Sequence, residues 1–326
     1  MIISRTPLRM SFVGGGSDIP AFYRENGGAV VSTAIDKYVY VNVNKKFDSG
    51  IRIAYSKTEE VDSVGKIEHR IVKAVMSHLD LDGGLEITTI ADIPSKGTGL
   101  GSSSTFTVGL LHVLNAFKGK YVSSEQLGED SCFIEIDVCG EPIGKQDQYA
   151  AAFGGFNLIE FRPDDSVVVS PVICDRSTIA DLEAGILVFY TGMTRSASEL
   201  LRQQSEEVAG NVSKKRAIER MVRLAYDLRD ELHKNNLAAF GEILHENWML
   251  KKGLTSGIST TQIDEWYGLA RSAGAKGGKI LGAGAGGFLM LYAPPESHDA
   301  IKAALPMLRP ISMGFEPLGS RIIFYH

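Results

Sequence analysis

The sequence predicts a two-domain protein that mixes α-helix and β-strand. Three observations carry this. The chain has 326 residues, and at about 150 residues per domain that length suggests two. Its first part joins strand-like alternation to helical patterns around a glycine-rich loop. After Thr194 the texture changes to long amphipathic patterns rich in Glu, Lys, Arg and Leu. The division is expected near 185–195, giving domains of 1–190 and 191–326. Hydrophobic content of 44% and charged content of 22% suit an ordinary globular protein with ample core.

The elements follow in chain order. Residues 1–60 are β-rich, and V-V-S-T-A-I-D-K-Y-V-Y-V-N-V-N alternates as a strand over about Val30–Val43. A helix over 66–79 puts Ile67, Ile71, Val75 and Leu79 on one face. L-E-I-T-T-I is a strand leading into the glycine-rich loop. Helices are expected near 103–117 and 124–137, and over Lys145–Phe153, stopped by Gly154-Gly155. Strands follow near 156–161, 167–172 and 186–190. Helical patterns then fill 196–250 and 261–273. K-I-L-G-A-G-A-G-G-F-L-M-L-Y is a glycine turn entering a strand, and R-I-I-F-Y-H closes the chain as another strand.

Composition narrows the function classes. A net charge of −5 gives no global attraction to nucleic acid or acidic membrane. Cys132, Cys139 and Cys174 are odd in number and lack C-x-x-C spacing, so they read as reduced core thiols. The start M-I-I-S-R-T-P-L-R-M has no signal-like apolar region, and no run approaches the roughly 18 apolar residues of a membrane span. A cytoplasmic location is the expectation. The seven histidines show no metal-ligand spacing. No G-x-S-x-G elbow is present.

Four segments carry chemistry. The first, Pro94 to Ser104, reads P-S-K-G-T-G-L-G-S-S-S. Gly97, Gly99 and Gly101 alternate with Thr98 and Leu100, then Ser102, Ser103 and Ser104 open a helix. Glycines let backbone N–H groups approach an anion, and the helix start adds unpaired donors. The serines can cap the helix or offer oxygen to a hard cation. Phosphate with magnesium is the first hypothesis. The segment is not a P-loop, because G-x-x-x-x-G-K-[ST] is absent.

The second segment, T-P-L-R-M-S-F-V-G-G-G-S-D, places Arg9 on a strand and Asp18 beyond Gly14-Gly15-Gly16. Alone it reads more readily as a hairpin turn with a solvated Asp. The third, residues 135–155, sets Glu135, Asp137, Glu141, Lys145 and Asp147 around a G-E-P-I-G turn. Pro142 and Gly144 bend the chain, so Glu135 and Asp147 can converge. One carboxylate could hold Mg²⁺ and the other act on a hydroxyl proton; an ordinary charged helix–turn–helix fits equally. The fourth, K-I-L-G-A-G-A-G-G-F, allows close approach of a backbone or phosphate, or is a sheet corner.

Together, and in order from Pro7 to Phe288, these segments resemble the GHMP kinase superfamily, which includes galactokinase, homoserine kinase, mevalonate kinase and phosphomevalonate kinase. The resemblance implies an α+β fold: an N-terminal α/β domain with a left-handed βαβ crossover, a C-terminal ferredoxin-like domain, and an active site between them. Carried over by position, Asp147 is the catalytic aspartate and Arg9 the basic residue beside it. Glu135 and Ser103 are implied as Mg²⁺ ligands. The ATP phosphates fall to Pro94, Lys96, Gly97, Thr98, Gly99, Leu100, Gly101, Ser102, Ser103 and Ser104. Asp18, with Gly16 and Ser17, is implied to hold a sugar hydroxyl. Gly284 and Gly286 shape the site from the second domain.

Within the superfamily, G-G-G-S-D-I-P and G-E-P-I-G-K-Q-D-Q-Y-A-A-A-F-G-G are most similar to members that phosphorylate D-glycero-D-manno-heptose 7-phosphate at its anomeric hydroxyl. Galactokinases carry G-E-H-T-D where this chain has G-G-G-S-D, which argues against plain galactose. Fucose-, arabinose- or galactose-type kinases, or a non-catalytic sensing member, are the alternatives. A phosphorylated sugar calls for a cationic clamp, for which Lys145, Lys37 and Arg195, with Gly192 in the same Y-T-G-M-T-R-S-A-S segment, are candidates. The implied partners are ATP, Mg²⁺ and a small sugar phosphate, with no nucleic acid or membrane, in a monomer or homodimer.

Overall fold

The structure, a computed structural model, describes residues 1–93, 97–193 and 197–326. Pro94, Lys96 and Arg195 therefore lie outside the described residues. The first sheet has eight strands: β1 (Ile2–Val13), β2 (Gly28–Lys45), β3 (Ile51–Ala54), β4 (Thr58–Val61), β5 (Leu85–Ala91), β6 (Phe156–Phe161), β7 (Val167–Pro171) and β12 (Arg321–Tyr325). Its main path runs β12-β1-β2-β5-β3-β4, and β6 joins β2 and carries β7. The long β2 serves two neighbours. Gly28–Thr33 pairs with β6, and Val39–Lys45 pairs with β5.

Helices α1 (Pro20–Asn26), α2 (Arg70–His78), α3 (Ser102–Phe117), α4 (Ser124–Cys132), α5 (Gln146–Phe153) and α6 (Arg176–Ala184) belong to this half of the chain. α3 packs on β1 and β2. Leu8, Met10 and Phe12 of β1 and Val108, Leu111 and Leu114 of α3 are all fully buried, and the Phe12 ring packs edge-on against Phe156 and Phe240. Strand alternation sends the intervening Arg9 and Ser11 to the other face. β3 and β5 are a parallel pair joined through α2. This is the connection for which the resemblance implies a left-handed crossover.

The second sheet contains β8 (Ile186–Tyr190), β9 (Gly277–Ile280), β10 (Phe288–Tyr292) and β11 (Arg309–Ile311), antiparallel throughout, in the order β11-β8-β10-β9. Long helices separate β8 from β9: α7 (Ala197–Ala209), α8 (Val212–His233), α9 (Phe240–Lys252) and α10 (Thr261–Ser272). α11 (His298–Ala304) separates β10 from β11. That succession and strand order are ferredoxin-like. Trp248, Leu289 and Ile263 sit at the centre of this second core.

Three expectations are revised. The helix expected over 124–137 stops at Cys132, and Phe133–Val138 winds as a π-helix. The helix expected from 66 begins at Arg70, because Val64–Lys66 forms a separate 3₁₀ turn. The sheets also do not divide the chain at 190. β8 already hydrogen-bonds to β10 and β11, whereas β12 returns to pair with β1. The three cysteines are free, with Cys132 and Cys139 buried. Among the described residues no helix is long and apolar enough to cross a membrane.

Candidate active site

A cavity of about 230 Å³ lies where the glycine-rich loop, the turn after β1, the start of α5 and the second domain meet. β1 supplies Arg9. The β1–β2 register shifts between Pro7 and Arg9, so a bulge falls here. A bulge re-aims a strand and frees a ladder donor. The Arg9 backbone N–H donates instead to the Leu100 carbonyl at 3.1 Å. Its guanidinium is buried and makes three bonds. Nε and a terminal nitrogen both reach Asp147 Oδ1 at 2.7 Å, and the other terminal nitrogen donates to the Gly99 carbonyl at 2.7 Å. One arginine thus ties the phosphate-type loop to the aspartate.

Asp147 lies in the first turn of α5, where the helix start favours a carboxylate. Burial raises its pKa above the usual aspartate value, and the Arg9 charge opposes that rise without cancelling it. The side chain keeps 24% of its surface open to the cavity, so a substrate can reach it.

Glu135 is fully buried on the π-helical segment. Oε1 accepts from Ser103 Oγ at 2.9 Å, and Oε2 accepts from Gln148 Nε2 at 2.7 Å. Burial pushes its pKa up to about 6, with the serine and Gln148 hydrogen bonds resisting and Asp147 adding repulsion. π-Helical turns re-aim side chains at functional sites, and this one turns Glu135 towards α3. Glu135 and Asp147 both line the cavity.

Asp18 is buried in the turn after β1. Oδ1 accepts from the Gly16 N–H at 2.9 Å and Oδ2 from the Gln146 N–H at 3.4 Å. The G-E-P-I-G turn leans directly on this carboxylate: a Cβ at Gly144 would lie 1.9 Å from Asp18 Oδ2. Thr98, Ser102, Ser103, Ser104 and Gly16 also line the cavity.

Other expected site residues fall elsewhere. Ser17 is fully buried and pins its turn to β2, donating to the Ala29 carbonyl and accepting from the Ala29 N–H, each at 3.1 Å. The Leu100 side chain belongs to the core. Lys145 points into a neighbouring cavity, where it donates to the Asp165 carbonyl at 2.9 Å and lies over the Tyr23 ring. Lys37 pairs with Asp36 at 2.7 Å, away from the cavity. Gly192 is exposed. Gly284 and Gly286 press on Ile258 and Met193, and it is Gly282 and Ala283 that reach the cavity.

Three polar lining residues, Ser11, Lys251 and Lys279, carry no role in the sequence-based expectations. Lys279, a charge inside the apolar strand G-G-K-I-L, was the one available signal. Lys251 ends a helix in M-L-K-K-G, where a lysine ordinarily faces water and complements the dipole.

An amide-rich loop at a helix start, a paired hydroxyl and carboxylate, and an arginine-held aspartate beside a second buried aspartate define a phosphotransferase that acts on an alcohol group. Residues 67–155 match the GHMP kinases N terminal domain, and residues 228–307 match the GHMP kinases C terminal domain. The chain belongs to the GHMP kinases. It is 29% identical over 320 residues to D-glycero-alpha-D-manno-heptose 7-phosphate kinase of Campylobacter jejuni, covering 93% of this chain and 92% of that protein. It is 28% identical over 325 residues to the mevalonate kinase of Pyrococcus horikoshii, covering 94% and 87%. The crystal structure of a D-glycero-D-manno-heptose 1-phosphate kinase from Bacteriodes thetaiotaomicron superposes with a TM-score of 0.82 at 27% identity over the whole of both chains.

Proposed function

We propose that the protein transfers the terminal phosphoryl group of ATP to the anomeric hydroxyl of D-glycero-D-manno-heptose 7-phosphate, giving the 1,7-bisphosphate. The observation that carries this reading is the Arg9 bridge, which couples Gly99 of the loop to Asp147. Donor and acceptor ends are thereby held in one cavity. The heptose is supported by the Campylobacter jejuni relative, similar over nearly its full length, and by G-G-G-S-D at the first segment.

Phosphoryl transfer leaves the protein mainly positioning and charge stabilisation. Gly97 to Gly101 would offer amide donors to the phosphates. Asp18 would hold a sugar hydroxyl, and Asp147 would take the proton of the attacking one. Ser103 and Glu135 fit Mg²⁺. They are hard oxygen donors 2.9 Å apart, and a single carboxylate suits an ion that keeps waters and substrate phosphates as its other ligands. When bound, that ion would neutralise charge on the phosphates.

Purified protein with ATP should phosphorylate the heptose 7-phosphate, with the new phosphate on the anomeric oxygen by NMR. The two heptose relatives are named for different phosphate positions, so regiochemistry decides. No transfer to any of a panel of sugars and sugar phosphates sinks the reading.

Two further outcomes are expected. Ser103→Ala and Glu135→Ala should each raise the Mg²⁺ concentration needed for half-maximal rate; titrations that overlay the wild type remove the metal assignment. Arg9→Met deletes the charge that lowers the Asp147 pKa, so the carboxylate holds its proton to higher pH. The acid limb of the kcat/KM profile should move upward. An unmoved limb with a uniform loss of rate would leave Arg9 a purely positional role.

A further inference from the structure

Two lysines that this chemistry leaves unused line the same cavity. Lys251, near the end of α9, is 4% exposed, and Lys279, in β9, is 3% exposed. Lys251 Nζ donates to the Gly15 carbonyl at 3.1 Å and to Gln204 Oε1 at 3.2 Å. Lys279 Nζ donates to the Phe12 carbonyl at 3.3 Å. An ammonium has three donors, so both retain unmet ones. Neither makes an ion pair among the described residues. Two such charges buried together are costly unless something supplies the opposite sign.

The neighbouring groups point the same way. Ser11 Oγ and Gln204 Nε2 are buried without hydrogen-bond partners. Ser11, Gln204 and Lys251 gather at Gly15 and Gly16, and Lys279 reaches the Phe12 carbonyl just before that turn. A Cβ at Gly16 would lie 2.6 Å from Gln204 Nε2 and 3.2 Å from Lys251 Nζ, and one at Gly15 would lie 3.8 Å from Ser11 Oγ. Where the galactokinase signature G-E-H-T-D has Glu and His, this chain has these two glycines. A glutamate there would fill the space and repel an anion. Arg9 is already engaged by Asp147, so the two lysines are the free cations of the cavity among the described residues.

We propose that Lys251 and Lys279, with Ser11 and Gln204, form the subsite that binds the phosphate already carried by the acceptor. This rests on the reading of the acceptor as a sugar phosphate, and it replaces Lys145 and Lys37 as the clamp. The charge balance suits a dianion: two lysines face it, and Asp18 and Arg9 are the other charged groups that act on them. In the free protein, burial holds Lys251 down to about 8 and, with repulsion from Lys251 and Arg9, Lys279 down to about 7. A bound dianion favours both charged forms, so binding near pH 8 must take up protons.

Calorimetry at pH 8, without ATP, in two buffers of different ionisation enthalpy tests this with inorganic phosphate and with the heptose 7-phosphate. Wild type should bind with net proton uptake. Lys251→Met and Lys279→Met should each weaken binding about 10- to 100-fold and reduce the uptake. Lys251→Arg should restore part of the affinity, separating charge from packing. In turnover, the Met variants should lose at least 10-fold more kcat/KM with the phosphorylated heptose than with the unphosphorylated one. Phosphate binding and proton uptake equal to wild type in both Met variants overturn the subsite, as do equal losses on the two acceptors. Lysine-dependent phosphate binding without turnover of the heptose phosphate keeps the subsite and overturns the proposed substrate. Turnover without lysine dependence does the reverse.

Discussion

Asp147→Asn should cut kcat by about 10²-fold or more, the usual scale for losing a general base. The substitution keeps the shape of the side chain. Its amide oxygen can still accept from the Arg9 guanidinium, which reaches one Asp147 oxygen from two nitrogens at 2.7 Å. The loop contact through Gly99 is untouched. Position is therefore largely preserved, and the capacity to take a proton is lost. The pH profile carries a second sign. A base at Asp147 would work deprotonated, and burial raises the pKa of this carboxyl, so the wild-type rate should climb with pH through a limb above the usual aspartate range. That limb should vanish in Asp147→Asn. Steady-state kinetics across pH checks both points. A variant within 10-fold of wild-type kcat, with the limb intact, would sink the role of Asp147 as base.

Much of this site was legible in the residues because its chemistry is local. Gly97, Gly99 and Gly101 spell a loop that needs left-handed backbone, and all three have φ between +69° and +77°. Arg9 and Asp18 flank a glycine turn, and Glu135 and Asp147 flank a bend. Convergence follows once the bend is made. What stayed hidden depends on tertiary partners. Lys145 sits in the motif, yet Asp165, eighteen residues beyond Asp147 in sequence, draws it into another cavity. Lys251 enters only because α9 packs under the turn after β1. The π-helix at Glu135 has the same periodic residues as an α-helix, so the pattern could not announce it. The return of β12 to β1 joins chain ends more than 300 residues apart, a pairing that no local periodicity encodes.

The glycine turn of the second domain has its meaning in that same tertiary context, and Gly99→Ala tests it. Gly99 has φ +73°, and a Cβ there would lie 2.1 Å from the Leu281 carbonyl oxygen and 2.7 Å from its carbon. Both are backbone atoms and cannot rotate aside. The contact is reciprocal. A Cβ at Gly282 would meet Gly99 Cα at 2.4 Å, and one at Gly287 would meet the Thr98 carbonyl oxygen at 2.4 Å. The two glycine loops, one from each domain, touch backbone to backbone. A methyl group between them must push them apart. The Gly99 carbonyl accepts from Arg9, so its displacement passes to Arg9 and from there to Asp147. Misplacement of about 1 Å costs on the order of 10²-fold in rate, and the strain and overpacking together cost about 1–3 kcal/mol of stability. Gly119→Ala is the matched control. Gly119 has φ +70° but open space around it, so it should show the backbone strain of about 1 kcal/mol and unchanged kcat/KM. Urea unfolding and steady-state kinetics on the pair separate the two effects. Equal kinetics in the two variants would mean that contact between the loops does not set the geometry of Arg9 and Asp147.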